Sequence, residues 1–127
     1  MEQPTVAYKL CPVQDYELAL REGKLLPAPV DERDNFMHLS CAKTARRTSE
    51  LYFANVEELA ILTVDLAKFS EFGRVEWELA PSRGVKFPHL YFPEEAESLA
   101  LDMRFVTHCD VVRKNDDGVH SMPDYIE

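Results

Sequence analysis

The sequence predicts a single α+β domain in which a few helices cover an edge or face of a mixed β-sheet. The chain has 127 residues, of which 46% are hydrophobic, so it can form one domain with a real core. The longer helix-type segments fall in the first half of the chain, and strand-type runs continue through the second half. An order of β-α-β-α followed by several strands is typical of α+β folds.

The first strand and the first helix are marked by their periodicity. Large apolar residues recur at every second position of residues 5–10, which predicts a strand. Apolar residues at i, i+3 and i+7 predict a helix over residues 13–22, with Pro12 placed to start it and Gly23 to end it. Two prolines make residues 25–33 a predicted loop.

A second strand and a second helix are expected to meet at Ser40. Residues 35–40 are predicted to be a strand, and Ser40 is placed to cap a helix over residues 41–52. Residues 59–64 are continuously apolar, which suits a central strand that is covered on both faces.

The rest of the chain predicts strands joined by turns. Further strands are expected at residues 74–79, 86–91 and 101–112. Turns or short helices are expected at residues 65–72 and 93–97. The composition becomes polar from residue 114, so we expect a domain over residues 1–113 and a flexible tail over residues 114–127.

Charge and hydropathy narrow the class of protein. The formal net charge of −9 disfavours broad binding to nucleic acid, although it leaves room for a local pocket that holds one nucleotide. No apolar run reaches the roughly 18–20 residues that span a bilayer. The opening Met1-Glu2-Gln3-Pro4 lacks the basic and apolar regions of a signal peptide. These features predict a cytoplasmic protein without a membrane partner, and they leave the oligomeric state open.

The three cysteines are Cys11, Cys41 and Cys109. An odd number without a CxxC pair disfavours a disulfide framework and a cysteine-rich zinc site. Small buried thiols are the expected state. The alternative is that Cys41 is a nucleophile, since it would lie near a helix start, where a thiolate is favoured.

Two five-residue segments echo each other, Phe-Met-His-Leu-Ser at residues 36–40 and Phe-Pro-His-Leu-Tyr at residues 87–91. Each reads Phe-x-His-Leu followed by a hydroxyl residue. On a strand, the period of two places the histidine beside the hydroxyl residue and turns the leucine to the opposite face. This pattern is typical of a polar pocket wall over an apolar core.

The first echo segment predicts an anion site. A strand that ends at Ser40 and enters a helix would aim backbone N–H groups at one point, with Arg46 and Arg47 nearby. The alternative is that Ser40 is only a cap and the arginines lie on a solvated face. His38 is either a pocket residue that binds ribose or phosphate, or a structural histidine that bonds to a carbonyl.

The later strands add a carboxylate, an imidazole and a phenol. Alternation turns Trp77 toward the core and Glu78 away from it. Glu78 either faces solvent, or Glu78 or Glu76 is a carboxylate that binds a sugar hydroxyl or stabilises developing positive charge. Pro88 fixes the backbone before His89 in an extended form. His89 beside Tyr91 therefore suits ligand positioning, and a buried histidine that bonds to the main chain is the alternative.

Other chemistries lack their patterns. The histidines, including His108 and His120, show no HxH, HxxxH or HExxH spacing, so no metal site is predicted. There is no GxSxG elbow, Walker A loop or GxGxxG fingerprint. A nucleotide would have to be held by side chains and a strand-to-helix corner.

Several segments together resemble the domain of unknown function 952 family. They are Ala7-Tyr8-Lys9, Asn35-Phe36-Met37-His38-Leu39-Ser40, Phe53, Val75-Glu76-Trp77-Glu78 and Phe87-Pro88-His89-Leu90-Tyr91. The likeness extends over roughly residues 6–112. The fold of that family resembles the ADP-ribosyltransferase fold. The resemblance implies a split mixed sheet around a cleft that holds NAD.

The resemblance also implies roles for particular residues. Three would be catalytic: His38 would grip ribose, Glu78 would bond the ribose 2′-hydroxyl, and His89 would line the same pocket. An aromatic ring would stack on nicotinamide, and Tyr91 or Tyr8 could supply it. No cofactor is certain, and NAD or ADP-ribose would be the substrate or ligand.

Two functional hypotheses follow from the sequence. In the first, the protein binds or processes NAD, ADP-ribose or a related phosphorylated nucleotide as a glycosyl, ADP-ribosyl or phosphoryl transferase. In the second, the same fold is a non-catalytic module that binds a small ligand or another protein. The transfer of an activity from the likeness is a fold-level analogy.

Overall fold

Two three-stranded antiparallel sheets and a short two-stranded sheet frame the protein in the computed structural model. The structure describes residues 3–127. Met1 and Glu2 lie outside the described residues, and with them the start of the predicted domain and of the N-terminal segment that lacks signal-peptide features. In chain order the elements are β1 (Val6–Pro12), α1 (Val13–Glu22), β2 (Lys24–Leu25), α2 (Pro29–Asp34), β3 (Met37–His38), α3 (Ala45–Tyr52), β4 (Glu58–Asp65), α4 (Leu66–Phe69), β5 (Arg74–Ala80), β6 (Val85–Tyr91), β7 (Leu101–Asp102), a 3₁₀ turn (Met103–Phe105) and β8 (Val106–Arg113).

The strands divide among the sheets in the orders β1-β4-β8, β2-β7 and β3-β6-β5. Every pair of named strands within residues 3–127 is antiparallel, so the α+β class is confirmed and the prediction of a mixed sheet is wrong. The reason lies in the connections. Helix α1 leads from β1 into a strand of another sheet, so it does not form the crossover that a parallel pair requires.

Strand β4 is the central strand of the first sheet, as its continuous apolar run predicts. Leu59, Ala60, Ile61, Leu62 and Val64 are all fully buried. Strands β1 and β8 pair with its two edges, and its alternating side chains enter two core clusters, one on each face.

A pair of backbone hydrogen bonds joins the first sheet to the chain just after β3. The amide of Tyr8 donates to the carbonyl of Ser40 at 2.7 Å, and the amide of Ser40 donates to the carbonyl of Tyr8 at 2.8 Å. This reciprocal pair fixes the β3 region beside β1.

The helices show where local signals succeed and where they fail. Helix α1 has its predicted bounds, and Gly23 ends it with a left-handed φ of 80°. The predicted loop over residues 25–33 is wrong, because Pro29 starts the short helix α2, where its missing N–H costs nothing. Helix α3 begins at Ala45 rather than at residue 41, because residues 41–44 form a turn closed by the amide of Ala45 on the carbonyl of Cys41 at 3.0 Å.

The polar segment 114–127 packs against the domain, contrary to the expected flexible tail. Ile126 is buried in the core, and the ring of Tyr125 stacks on Tyr8 with centroids 5.4 Å apart. His120 is also buried, with Nε2 lying 2.6 Å from the carbonyl oxygen of Val56. A few apolar anchors therefore hold a segment whose average composition is polar.

None of the helices within residues 3–127 is both long and apolar enough to cross a membrane.

Candidate functional site

The two echo segments meet as neighbours in one sheet. Strand β3 pairs with β6 so that His38 lies opposite His89, and the two imidazole centroids are 5.1 Å apart. The Phe36 ring lies against both, 4.6 Å from the His38 ring and 4.2 Å from the His89 ring. We call the group of Phe36, His38, Glu78, His89 and Tyr91 the histidine cluster.

The His89 side of the cluster is built on the β5–β6 hairpin. Glu78 on β5 lies opposite Phe87, so its side chain reaches the diagonal neighbour His89 on the same face of the sheet. Glu78 Oε1 lies 2.8 Å from His89 Nδ1 and accepts a hydrogen bond of 2.6 Å from the Tyr91 hydroxyl. The alternation of the two strands therefore brings a carboxylate, an imidazole and a phenol together.

On the His89 side of the cluster, Glu78 is the group that carries a charge. Hydrogen bonds from Tyr91 and His89 lower the pKa of Glu78 below its usual value. Burial lowers the pKa of His89, although the hydrogen bond to Glu78 acts in the opposite direction. The hydrogen bond to Glu78 raises the pKa of Tyr91 to about 12. At neutral pH, Glu78 is thus ionised and His89 is a neutral imidazole whose Nδ1 proton points at the carboxylate.

The His38 side is built on helix α2. His38 Nδ1 lies 2.8 Å from Asp31 Oδ1, and His38 Nε2 lies 2.9 Å from Asp34 Oδ2. The backbone amide of His38 also donates to Asp31 Oδ1 at 2.9 Å. Both ring nitrogens of His38 are therefore engaged within the protein.

Asp31 anchors this side as a fully buried carboxylate. Lys9 Nζ donates to Asp31 Oδ2 at 2.8 Å and to the carbonyl of His38 at 3.0 Å. Burial alone would raise the pKa of Asp31, but the hydrogen bond from His38 and the ammonium of Lys9 lower it to about 2. The result is a buried ion pair whose carboxylate oxygens both accept hydrogen bonds.

Sequence reasoning missed four members of this neighbourhood as site residues: Lys9, Asp31, Asp34 and Phe36. Asp31 and Asp34 have the i, i+3 spacing that places side chains on one helix face, but α2 was predicted as a loop. Lys9, a charge within an otherwise apolar strand, was the signal for a buried pair.

Four candidate ligand-binding residues lie outside the histidine cluster. Ser40 is buried and its hydroxyl lies 2.9 Å from that of Thr48, so it does not form the predicted anion corner or cap α3. Tyr8 packs in the core against the C-terminal segment.

The two candidate arginines are engaged at the surface of α3. Arg46 donates to the carbonyl of Glu127 at 3.2 Å, and Arg47 pairs with Glu50 at 3.1 Å. The arginine that does approach Ser40 is Arg83, which donates to its partner Thr48 at 3.0 Å.

An open cleft of about 560 Å³ adjoins the cluster. Its lining includes Asn35, Arg74 and Tyr91, together with residues 92–94 and 96–99. The Arg74 guanidinium carbon lies 4.6 Å from the Tyr91 ring centroid. The cleft reaches the cluster through Tyr91, and His38 and His89 themselves do not line it.

Metal ligands and reactive thiols are the remaining groups that could carry chemistry. Within residues 3–127, no group of three or more His, Cys, Asp or Glu side chains is arranged to hold a metal ion. Cys11 is buried, and burial raises the pKa of its thiol to about 12. Cys41 and Cys109 are half-buried free thiols, and Cys41 Sγ lies 3.4 Å from the Thr44 hydroxyl.

Comparisons with known proteins support the sequence likeness. A family model described as "Protein of unknown function (DUF952)" matches residues 10–102. The crystal structure of protein CC0527 from Caulobacter crescentus is 28% identical and covers 96% of this chain and 98% of that chain, with a TM-score of 0.79. The solution NMR structure of CC0527 is 28% identical, with 91% of each chain covered and a TM-score of 0.72. No curated protein sequence matches the chain.

Proposed function

The chain belongs to the DUF952 family, and we propose that its histidine cluster binds NAD, ADP-ribose or a related phosphorylated nucleotide, as ligand or substrate. The proposal includes an ADP-ribosyltransferase-like arrangement of the two three-stranded sheets. Its support is the joining of Tyr8 to Ser40, which sets β3 and its histidine beside the first sheet. The observation that carries the proposal is the convergence of His38, His89 and Glu78 in one cluster.

The cluster offers the groups that a nucleotide requires. In this proposal the half-buried ring of Phe36, which stacks on His89, contacts the planar base, a role first assigned to Tyr8 or Tyr91. Arg74 lies beside Tyr91 at the edge of the cleft, where its mostly exposed guanidinium suits a phosphate.

Glu78 is the group best suited to transfer chemistry in this proposal. A carboxylate held ionised by Tyr91 and His89 can stabilise positive charge that develops at a ribose carbon. It is oriented by two hydrogen bonds before any ligand arrives, so little reorganisation is needed.

Calorimetric titration with NAD and with ADP-ribose at millimolar concentration tests the proposal. We expect binding to the wild type, and a loss of about 10- to 150-fold in affinity for Glu78→Gln, because a hydrogen bond to a charged group is worth about 1.5–3 kcal/mol. His108→Ala is the matched control, since His108 is exposed on β8 and pairs with Asp110 outside the cluster. Absence of heat with both nucleotides would show the proposal to be wrong.

A non-catalytic module on the same fold is the second candidate. It is favoured by the engagement of Ser40 with Thr48, which removes the predicted phosphate corner. A chromatographic assay for nicotinamide released from NAD distinguishes the transferase from the non-catalytic module. Tight binding without release at any enzyme concentration would favour the module, and release that Glu78→Gln abolishes would favour the transferase.

A further inference from the structure

The two histidines of the cluster differ in the state of their outer nitrogens. Both nitrogens of His38 are bonded, to Asp31 and to Asp34. His89 is bonded through Nδ1 alone, to Glu78, and its Nε2 has no hydrogen-bond partner within residues 3–127. Only one of two adjacent imidazoles therefore has a nitrogen free for a ligand.

The free nitrogen belongs to a nearly buried side chain. His89 is 8% exposed, and its ring is covered on one side by Phe36. In the described part of the chain, no fully buried side-chain nitrogen or oxygen lacks a partner. The Nε2 atom must therefore keep a small exposed area, through which water or a ligand group can contact it.

We infer that His89 Nε2 accepts a hydrogen bond from a hydroxyl of the ligand, whereas His38 is a framework residue that ties helix α2 to strand β3 and makes no ligand contact. This assignment rests on the proposed function for the identity of the ligand, and the hydroxyl is then one of a ribose. It reverses the role that the sequence likeness gave to His38.

The surrounding charges keep the acceptor available. The titratable groups that face His89 are Glu78 on β5, Tyr91 on β6, His38 on β3 and Asp34 on α2. The ionised Glu78 holds the single proton of the neutral ring on Nδ1, so Nε2 carries the lone pair. A neutral acceptor at this position selects a hydroxyl over an anionic phosphate oxygen, which has no proton to donate.

The first test needs no ligand and so is independent of the proposed function. Long-range nitrogen–proton NMR on the full chain near neutral pH should show His89 with a protonated Nδ1 and an unprotonated Nε2. Diethyl pyrocarbonate, which attacks unprotonated imidazole nitrogen, should modify His89 at least about fivefold faster than His38. Exposure alone favours the reverse order, since the side chain of His38 is 29% exposed and that of His89 is 10% exposed.

A protonated Nε2 on His89, or a His38 that reacts as fast as His89, would overturn the inference and leave the nucleotide proposal intact.

The second test adds ADP-ribose. Binding should shift the Nε2 resonance of His89 and protect it from diethyl pyrocarbonate, and His89→Ala should weaken binding by about tenfold, the loss expected for one buried hydrogen bond. If ADP-ribose binds and His89 is neither shifted nor protected, the assignment is wrong. If ADP-ribose does not bind to the wild type, the proposed function fails, and the first test alone decides the state of His89.

Discussion

His38 and His89 face each other across one strand pair and share the sequence Phe-x-His-Leu, yet they are held in different ways. His38 is tied through both nitrogens to carboxylates of helix α2, one of them fully buried. His89 is tied through one nitrogen to Glu78 and keeps the other free. The comparison shows that a local motif fixes where a side chain stands, while the elements packed against it decide what the side chain can do.

The largest effect should come from breaking the His38 side. Asp31→Ala leaves the ammonium of Lys9 buried without its partner, so we expect a loss of about 3–5 kcal/mol in the free energy of unfolding. Asp34→Ala removes the other, partly exposed partner of His38 and should cost much less, because exposed ion pairs contribute little to stability. Urea denaturation of both variants measures the difference, and equal losses would contradict a special role for the buried pair.

The same carboxylate should make the fold sensitive to acid. The pKa of Asp31 is about 2 in the folded protein against 3.8 for a free aspartate, so the unfolded chain binds the proton more readily. This contribution is therefore fully present above about pH 4 and is lost as the pH falls toward 2, at a cost of about 2 kcal/mol. Urea denaturation over that pH range in wild type and Asp31→Asn checks it. Parallel curves for the two proteins would rule the effect out.

A change on the His89 side of the cluster should alter the pKa of Tyr91 more than it alters the stability of the fold. The hydrogen bond to the Glu78 carboxylate is the main cause of the raised pKa of Tyr91, and Glu78→Gln replaces that charged acceptor with a neutral, weaker one. The pKa of Tyr91 should then fall from about 12 toward the ordinary value of 10.0. Ultraviolet titration of tyrosine measures the shift as a difference from wild type. Glu58→Gln, a partly exposed carboxylate on β4 paired with Arg113, is the control and should leave the curve unchanged.

The smallest effect is expected outside both regions. Arg47 pairs only with Glu50 on the exposed face of α3 within the described residues, so Arg47→Ala should change the free energy of unfolding by less than about 0.5 kcal/mol. Affinity for ADP-ribose should also be unchanged. A clear loss of affinity would restore the arginine to the site and weaken the contrast drawn between the histidine cluster and helix α3.

The parts of the fold that follow from the sequence are those governed by local periodicity. Helix α1, the central strand β4 and the β5–β6 hairpin all carry a clear spacing signal and end near the expected residues. The same alternation places His89 beside Tyr91, and the pairing of β5 with β6 adds Glu78, because side chains on one face of paired strands are neighbours.

The parts that do not follow depend on contacts between distant segments. The sequence predicts a loop at Asp31. A buried carboxylate is favourable there because β1 places Lys9 beside it, a contact between segments that are distant in the chain. Tyr8 was a candidate for stacking on a ligand, but Tyr125 from the far end of the chain takes that face. Serine is a residue type that often caps a helix, but a turn precedes α3, and the Ser40 hydroxyl is hydrogen-bonded to Thr48 instead.

The reciprocal hydrogen bonds between Tyr8 and Ser40 have a consequence for motion. The two amides are the backbone joint between the first sheet and the strand that carries His38. If the sheets open and close about this joint, the two amide hydrogens should exchange with solvent together and faster than those of β4. If their exchange instead matches that of β4, the protein opens only by unfolding as a whole, and any ligand must enter a site that is already formed.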